Sequence, residues 1–275
     1  NATGKTTILD AIATSIGGFL SGFSNMSNTE THNIDKNNLY TVYKKGNSGI
    51  ENKISNYSSV HGYFYINNFE FNWNRYRNGI KGRTSIKKSE YKNLFSLILN
   101  IEEKLIENNT ILPIFSYHGT GRLWEHEWKP SSKMENLQRI DAYKDCLNAK
   151  SNYRNFLSWF EKLSRMAFED GEPNQLLENV KEVIKETLNY LTEKDIKNIT
   201  YRDRDLLITY ANEEIDKVGL LSDGYRNIIG LVSDIAYRIA ILNPSLTENI
   251  KNTPGIVLID EIDLHLHPKW QKKII

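Results

Sequence analysis

The sequence predicts an α/β chain with a mostly parallel core sheet, an inserted antiparallel β subdomain and a short helical lobe. Three observations carry that prediction. Ile256 to Ile259 form a short apolar run behind Pro254 and Gly255 and run straight into Asp260 and Glu261, as a buried parallel strand would. Gly4, Lys5, Thr6 and Thr7 precede Ile8, Leu9, Ile12, Ala13 and Ile16 at helical spacing, so a helix starts at a glycine loop. Between about residues 23 and 84 the texture changes to Asn, Ser, Gly, Lys and Tyr with short alternating apolar runs.

The chain has 275 residues, 39% hydrophobic and 25% charged, enough for one large α/β domain carrying a subdomain. A net charge of +1 selects neither for nor against nucleic acid, because only a local patch would matter. The one cysteine, Cys146, excludes an intrachain disulfide and a four-cysteine zinc site, and fits a reducing, cytoplasmic setting. No run of 18 apolar residues and no signal peptide is visible, so no membrane association is expected. A chain that opens on Asn1 and stops at Ile275 reads as part of something longer.

Taken in order, Asn1, Ala2, Thr3, Gly4, Lys5, Thr6 and Thr7 match the end of a phosphate-binding loop, G-x-x-x-x-G-K-[ST]. Gly4, Lys5 and Thr6 fill its last three places, and the first glycine would fall before Asn1. In such a loop backbone N–H groups wrap a β-phosphate, the lysine reaches the β/γ oxygens and the hydroxyl, here of Thr6, binds Mg²⁺. The bland alternative is a glycine turn before a core helix. Gly17 and Gly18 predict the end of that helix. Leu39–Tyr43, His61–Ile66 and Phe69–Trp73 read as strands of period two. The cations from Arg75 to Lys88 then form either a phosphate-backbone surface or a solvated basic edge strand.

A helix is predicted from Glu90 to Asn108, with Tyr91, Leu94, Phe95, Ile98, Ile101 and Leu105 on one face. The apolar run Ile111–Tyr117 delivers His118, Thr120 and Arg122 to a Gly-rich loop, the place in a parallel sheet where ligands sit. His118, Thr120 and Arg122 are therefore candidates for sensing the γ-phosphate or the metal, against a tight loop in which Arg122 merely makes a salt bridge. His126, flanked by Glu125 and Glu127, lacks the HExxH spacing of a zinc helix. Stripes through Tyr153, Phe156, Phe160 and Leu163, and through Leu176, Val180, Val183 or Ile184, Thr187 or Leu188, and Leu191, predict two helices broken at Gly171 to Pro173. Asp205–Tyr210 reads as a strand, followed by a helix from the Leu221–Asn227 segment to Leu242, stopped by Asn243 and Pro244. At the far end Asp260 is assigned to Mg²⁺, directly or through water, and Glu261 to orienting and deprotonating an attacking water. The alternative is that both carboxylates cap a helix beginning at Pro268.

LSDGYRN, an apolar helix and then IVLIDEID together resemble the signature motif and Walker B strand of ABC-type ATPase heads, in the branch holding the SMC, RecF and OLD-like proteins. SYHGTGRLW, the Asn-Pro pair and LIDEIDLHLHPKWQ narrow the resemblance to stand-alone AAA-family ATPases of antiphage systems, the PtuA-like ATPases of Septu and retrons. That resemblance implies an ATPase core of residues 1–22, 109–130 and 200–275, a β-rich insertion with a helix over 23–108, and a helical lobe over 131–199. It implies ATP and Mg²⁺ at the interface of a homodimer or higher oligomer. There the Leu221, Ser222, Asp223 and Gly224 segment grips the γ-phosphate held by the other copy. It also implies an HNH nuclease partner, with nucleic acid reached through that complex. His267 falls at the D-loop position, where ABC heads carry an aspartate; a metal pair of His265 and His267 is the alternative. Other readings are a non-hydrolysing nucleotide-sensing scaffold, or the ATPase part of an OLD-like nuclease.

Overall fold

In the computed structural model, helix α1 (Lys5–Leu20) continues through Gly17 and Gly18, where the glycine pair predicts a stop. The reason is packing. A Cβ on Gly17 would lie 1.8 Å from the Thr31 carbonyl oxygen, and one on Gly18 2.2 Å from the Trp73 indole nitrogen. The glycines let other backbone approach the helix instead of ending it. Residues 4–27, 30–46, 49–66, 69–105, 110–120, 138–149, 153–263 and 268–274 are described; Asn1, Ala2, Thr3, Arg122, His126, His265 and His267 lie outside them. The chain forms two units, residues 1–110 and 111–275.

In the first unit β1 (Thr41–Gly46) and β2 (Gly49–Ile54) form an antiparallel hairpin. Strands β3 (Ser58–Ile66), β4 (Phe69–Arg77) and β5 (Thr84–Ile86) form an antiparallel sheet in that order. One face of this sheet lies on α1. Trp73 is buried, stacks on Phe64 at 4.1 Å and donates from its indole N–H to the Ser15 carbonyl. Gly62 gives β3 the clearance it needs there, since a Cβ would meet Ser15 Oγ at 2.0 Å. Ala13, Ile16, Phe19 and Leu20 of α1 are buried, whereas Ile8 and Ile12 of the expected stripe are exposed. Helix α2 (Lys88–Leu105) buries Leu94, Ile98 and Ile101; Tyr91 and Phe95, placed on its apolar face by periodicity, are exposed.

The cations after Trp73 do not all form a solvated edge. Arg75 is buried, and its guanidinium donates to the carbonyls of Thr14, Thr31 and His32 and to Asn33 Oδ1. Burial pulls its pKa down to about 10. Arg77 donates to the carbonyls of Gly79, Ile34 and Ile80.

In the second unit β6 (Ile114–His118) pairs in parallel with the last strand, after the helices α3 (Tyr153–Asp170) and α4 (Gln175–Thr192). These two helices are separated at Gly171, which holds a left-handed φ of 70°. The buried stripe of α4 is Leu177, Val180, Ile184, Leu188 and Leu191, so Leu177 takes the place expected for Leu176. Strands β7 (Ile196–Arg202), β8 (Asp205–Tyr210) and β9 (Ile215–Lys217) make an antiparallel sheet. Strand β7 crosses residue 199, so the helical stretch ends before Ile196. Helix α5 (Asp223–Leu242) packs against α3 and α4, and β10 (Gly255–Ile259) and α6 (Pro268–Ile274) follow.

The expected parallel pairing is present, with Ile259 of β10 opposite His118 of β6. Burial on both faces of β10 is not. Leu258 is buried but Ile256 and Val257 are 38% and 36% exposed, because among the described residues β10 pairs only with β6 and has an open edge. Among the described residues no helix is long and apolar enough to cross a membrane.

Candidate functional site

In the first unit Gly4 is the N-cap of α1, with φ 75° and ψ 13°, and as glycine it supplies no side-chain cap. That left-handed backbone favours glycine. Nothing stands within 4 Å of the position a Cβ would take. Lys5, Thr6 and Thr7 are exposed, and the first turn carries no acidic residue. A helix start carries N–H groups and the positive end of the helix dipole, which suit an anion.

In the second unit the chain turns sharply at the end of β10. The Asp260 N–H donates to the His118 carbonyl at 2.8 Å, continuing the parallel ladder by one residue, and Asp260 is buried. Glu261 is exposed and adopts φ 46°, a left-handed backbone for a residue with a full side chain. Such a conformation costs about 1–2 kcal/mol and is retained where the surroundings enforce it. Its effect is to give two adjacent carboxylates different environments, Asp260 inward and Glu261 outward. Neither begins a helix, because α6 starts only at Pro268. The helix expected at Pro268 is present, and the residues joining it to the carboxylate pair lie outside the described residues.

Leu221 to Gly224, the segment expected to act as a signature motif, lies at the start of α5. Ser222 is the N-cap residue with extended backbone, is exposed, and makes no capping hydrogen bond with its hydroxyl. Asp223 is exposed and pairs with the Arg226 guanidinium; Gly224 is buried in the first turn, and Leu221 is half-buried. Trp270 of α6 meets the Tyr225 ring edge-on at 4.9 Å, and Gln271 donates to the Asp263 carbonyl at 3.2 Å. Helix α6, which follows the carboxylate pair, is thereby tied to the first turn of α5.

His118 occupies a different position from the one its loop suggests. Its ring is 2% exposed, with Nε2 2.7 Å from Ser116 Oγ and 3.6 Å from Asp234 Oδ2. A ring held this way belongs to the interior between β6 and α5, and it is the His118 carbonyl that meets Asp260. Thr120 is exposed. Sequence reasoning missed the rest of this cluster. Asp234 accepts from Ser116 Oγ at 3.2 Å and from Arg238 Nε at 2.9 Å, and Arg238 also donates to the carbonyls of Ala142 and Lys144. Burial pushes the Asp234 carboxyl up, but Arg238, His118 and the hydrogen bonds from Arg238 and Ser116 outweigh it and hold it below the usual carboxylate range. The signal was an Asp and an Arg four residues apart on an otherwise apolar helix face. Cys146 is buried beside this cluster, and burial raises its thiol to about 12.

A protein-family model described as an AAA domain matches residues 1–199. The chain is 30% identical to the Retron Vc95 probable ATPase of Vibrio cholerae serotype O1 biovar El Tor, over all of this chain and 61% of that protein. It is 35% identical over 91 residues to the Septu protein PtuA of Bacillus thuringiensis, covering 32% of this chain and 21% of that one. The chain spans about three fifths of the length of the retron ATPases it matches. Among solved structures it is similar to an SMC head bound to the C-winged helix domain of ScpA, with 11% identity and a TM-score of 0.41, over 99% of this chain and 81% of that one. The match over residues 1–199, on a chain whose first helix opens from a Gly-Lys-Thr loop, shows that this chain belongs to the AAA-domain family.

Proposed function

We propose that this chain is the nucleotide-binding part of an ABC-type switch ATPase, working in the cytoplasm in an antiphage defence system and regulating an HNH nuclease through ATP-dependent dimerisation. Residues 1–22, 109–130 and 200–275 would make up its core. The loop Asn1 to Thr7 binds the ATP phosphates, with Lys5 on the β/γ oxygens. Asp260 and the Thr6 hydroxyl hold Mg²⁺, and Glu261 orients and deprotonates the attacking water. The donor set suits the ion, since Mg²⁺ takes one or two hard oxygen ligands from protein and the rest from phosphate and water. Among the described residues no cluster of three His, Cys, Asp or Glu offers a protein-only metal cage. When bound, Mg²⁺ neutralises charge on the phosphate oxygens.

The observation that carries this reading is the turn at Asp260 and Glu261. It buries the residue assigned to the metal and exposes the residue assigned to water. Ser222, with its hydroxyl uncommitted to the cap, and Gly224 grip the γ-phosphate of ATP held by a second copy. His267 remains the D-loop candidate. Loss of the γ-phosphate loosens the dimer and changes what the nuclease experiences.

Steady-state phosphate release, measured with and without partner and DNA, tests the reading. Lys5→Ala abolishes ATP binding, whereas Glu261→Gln retains binding, loses turnover and accumulates as an ATP-bound dimer. A Glu261→Gln protein with the wild-type turnover rate would contradict the role given to Glu261.

A further inference from the structure

The β3–β4–β5 sheet has a second face, opposite the one on α1. Along β3 it carries Ser59, His61, Tyr63 and Tyr65, all exposed, with Tyr63 at 64% and Tyr65 at 77%. Their register partners on β4 are Tyr76, Asn74, Asn72 and Glu70. The alternate residues Phe64 and Trp73 are stacked on the covered side, so the outward tyrosines are not misplaced core. The rings are grouped: His61 lies 4.7 Å from Tyr63, and Tyr57, which follows the β1–β2 hairpin, stacks on Tyr76 at 6.1 Å.

The stretch of chain that forms this sheet is rich in cations. Residues 40–92 hold ten Lys and Arg against three Asp and Glu, in a chain whose net charge is +1. Arg75 and Arg77 are engaged by backbone carbonyls, but Lys44, Lys45, Lys53, Lys81 and Arg83 are exposed. Arg83 stands two residues before Ser85, the register partner of Tyr76.

We propose that this face binds single-stranded nucleic acid, with bases stacking on Tyr63, Tyr65 and the Tyr57–Tyr76 pair and phosphates drawn to the surrounding cations. Aromatic platforms in a basic setting take single strands because every base has a π-face, while the cations track the backbone. Successive residues on one face of a strand are about 6.8 Å apart, roughly twice the 3.4 Å rise between stacked bases. That step receives bases splayed from an extended strand and does not match a closed duplex. Glu70, opposite Tyr65, is the one acidic residue among the described residues of β3, β4 and β5 and opposes the binding, and the Glu90 carboxylate beside them accepts from the Asn74 N–H.

Fluorescence polarisation of a labelled dT20 strand tests this, with the full chain and a duplex of equal length as competitor. The single strand binds and outcompetes the duplex. Tyr63→Ala with Tyr65→Ala weakens binding tenfold or more, since stacking carries the base contacts, while Phe at both positions retains it. Alanine at Lys81 and Arg83 reduces the slope of log K against log salt by about 1.4, at about 0.7 per phosphate contact. Glu70→Gln tightens binding. Equal or better binding of the duplex, no binding at low salt, preference for polyglutamate over dT20, or wild-type affinity in the double alanine variant each overturns the proposal. ATP binding measured on the same alanine variant stays unchanged, so this outcome is independent of the nucleotide site.

Discussion

Asp234 is a buried carboxylate four residues from its partner Arg238, and their proximity places two opposite charges in the interior of the second unit. Replacing it by alanine leaves the Arg238 guanidinium buried without its counter-charge, a loss of about 3–5 kcal/mol. Equilibrium urea unfolding measures it. The same carboxyl makes an acid-dependent contribution. Because its folded pKa is depressed, the stability it confers is fully present above the unfolded value of about 3.9 and is lost as pH falls through the lower folded value. The stability difference between wild type and Asp234→Asn is therefore flat above about pH 5 and shrinks below pH 4. At this scale the sequence was informative wherever a residue type has one chemistry. Gly4, Lys5, Asp260 and Glu261 stood out by motif. His118 did not, because a histidine after a strand reads alike whether it faces solvent or a buried Ser116 and Asp234.

At the scale of elements, the Asn243 side chain ties the end of α5 to the residues just before β6. The Asn243 amide accepts from the Leu112 N–H at 2.8 Å and donates to the Leu112 carbonyl at 2.9 Å, imitating a strand neighbour. It also donates to Thr253 Oγ1, just ahead of β10. Asn243→Ala strands two polar groups of buried Leu112, at about 1–3 kcal/mol each. Asn243→Asp keeps the bond from the N–H and loses the one to the carbonyl, and so falls between alanine and wild type in urea midpoint. The Asn-Pro pair was legible as a helix stop, but its second task was not, since it depends on Leu112, 131 residues away in sequence. Strand β7 escaped prediction for a related reason. Its turn to β8 is made by Asp203 and Arg204, both with left-handed φ, instead of the Asn-Gly or Asp-Gly that announces such a turn.

For the whole molecule the decisive question is whether two copies complete one another's sites. If Ser222 acts on ATP held by the second copy, then Ser222→Arg and Lys5→Ala proteins are each inactive alone. Mixed, they recover part of the phosphate release, because one composite site in the mixed dimer has an intact loop and an intact signature. No recovery on mixing, with both variants folded, excludes the arrangement. The near-neutral total charge likewise hides a difference in scale: residues 1–110 hold 13 Lys and Arg against nine Asp and Glu, and the excess lies in the β strands and the segments joining them. By itself the sequence determined the α/β class, the glycine loop before α1, the helix pair α3 and α4, and the carboxylates closing β10. Each of these is written in local spacing and residue chemistry. Only the tertiary structure decided that Gly17 and Gly18 are places of close approach, that Arg75 is an internal clamp, and that Asp260 and Glu261 part into buried and exposed environments. Those outcomes are set by which distant atoms arrive beside a residue, and no window along the chain contains them.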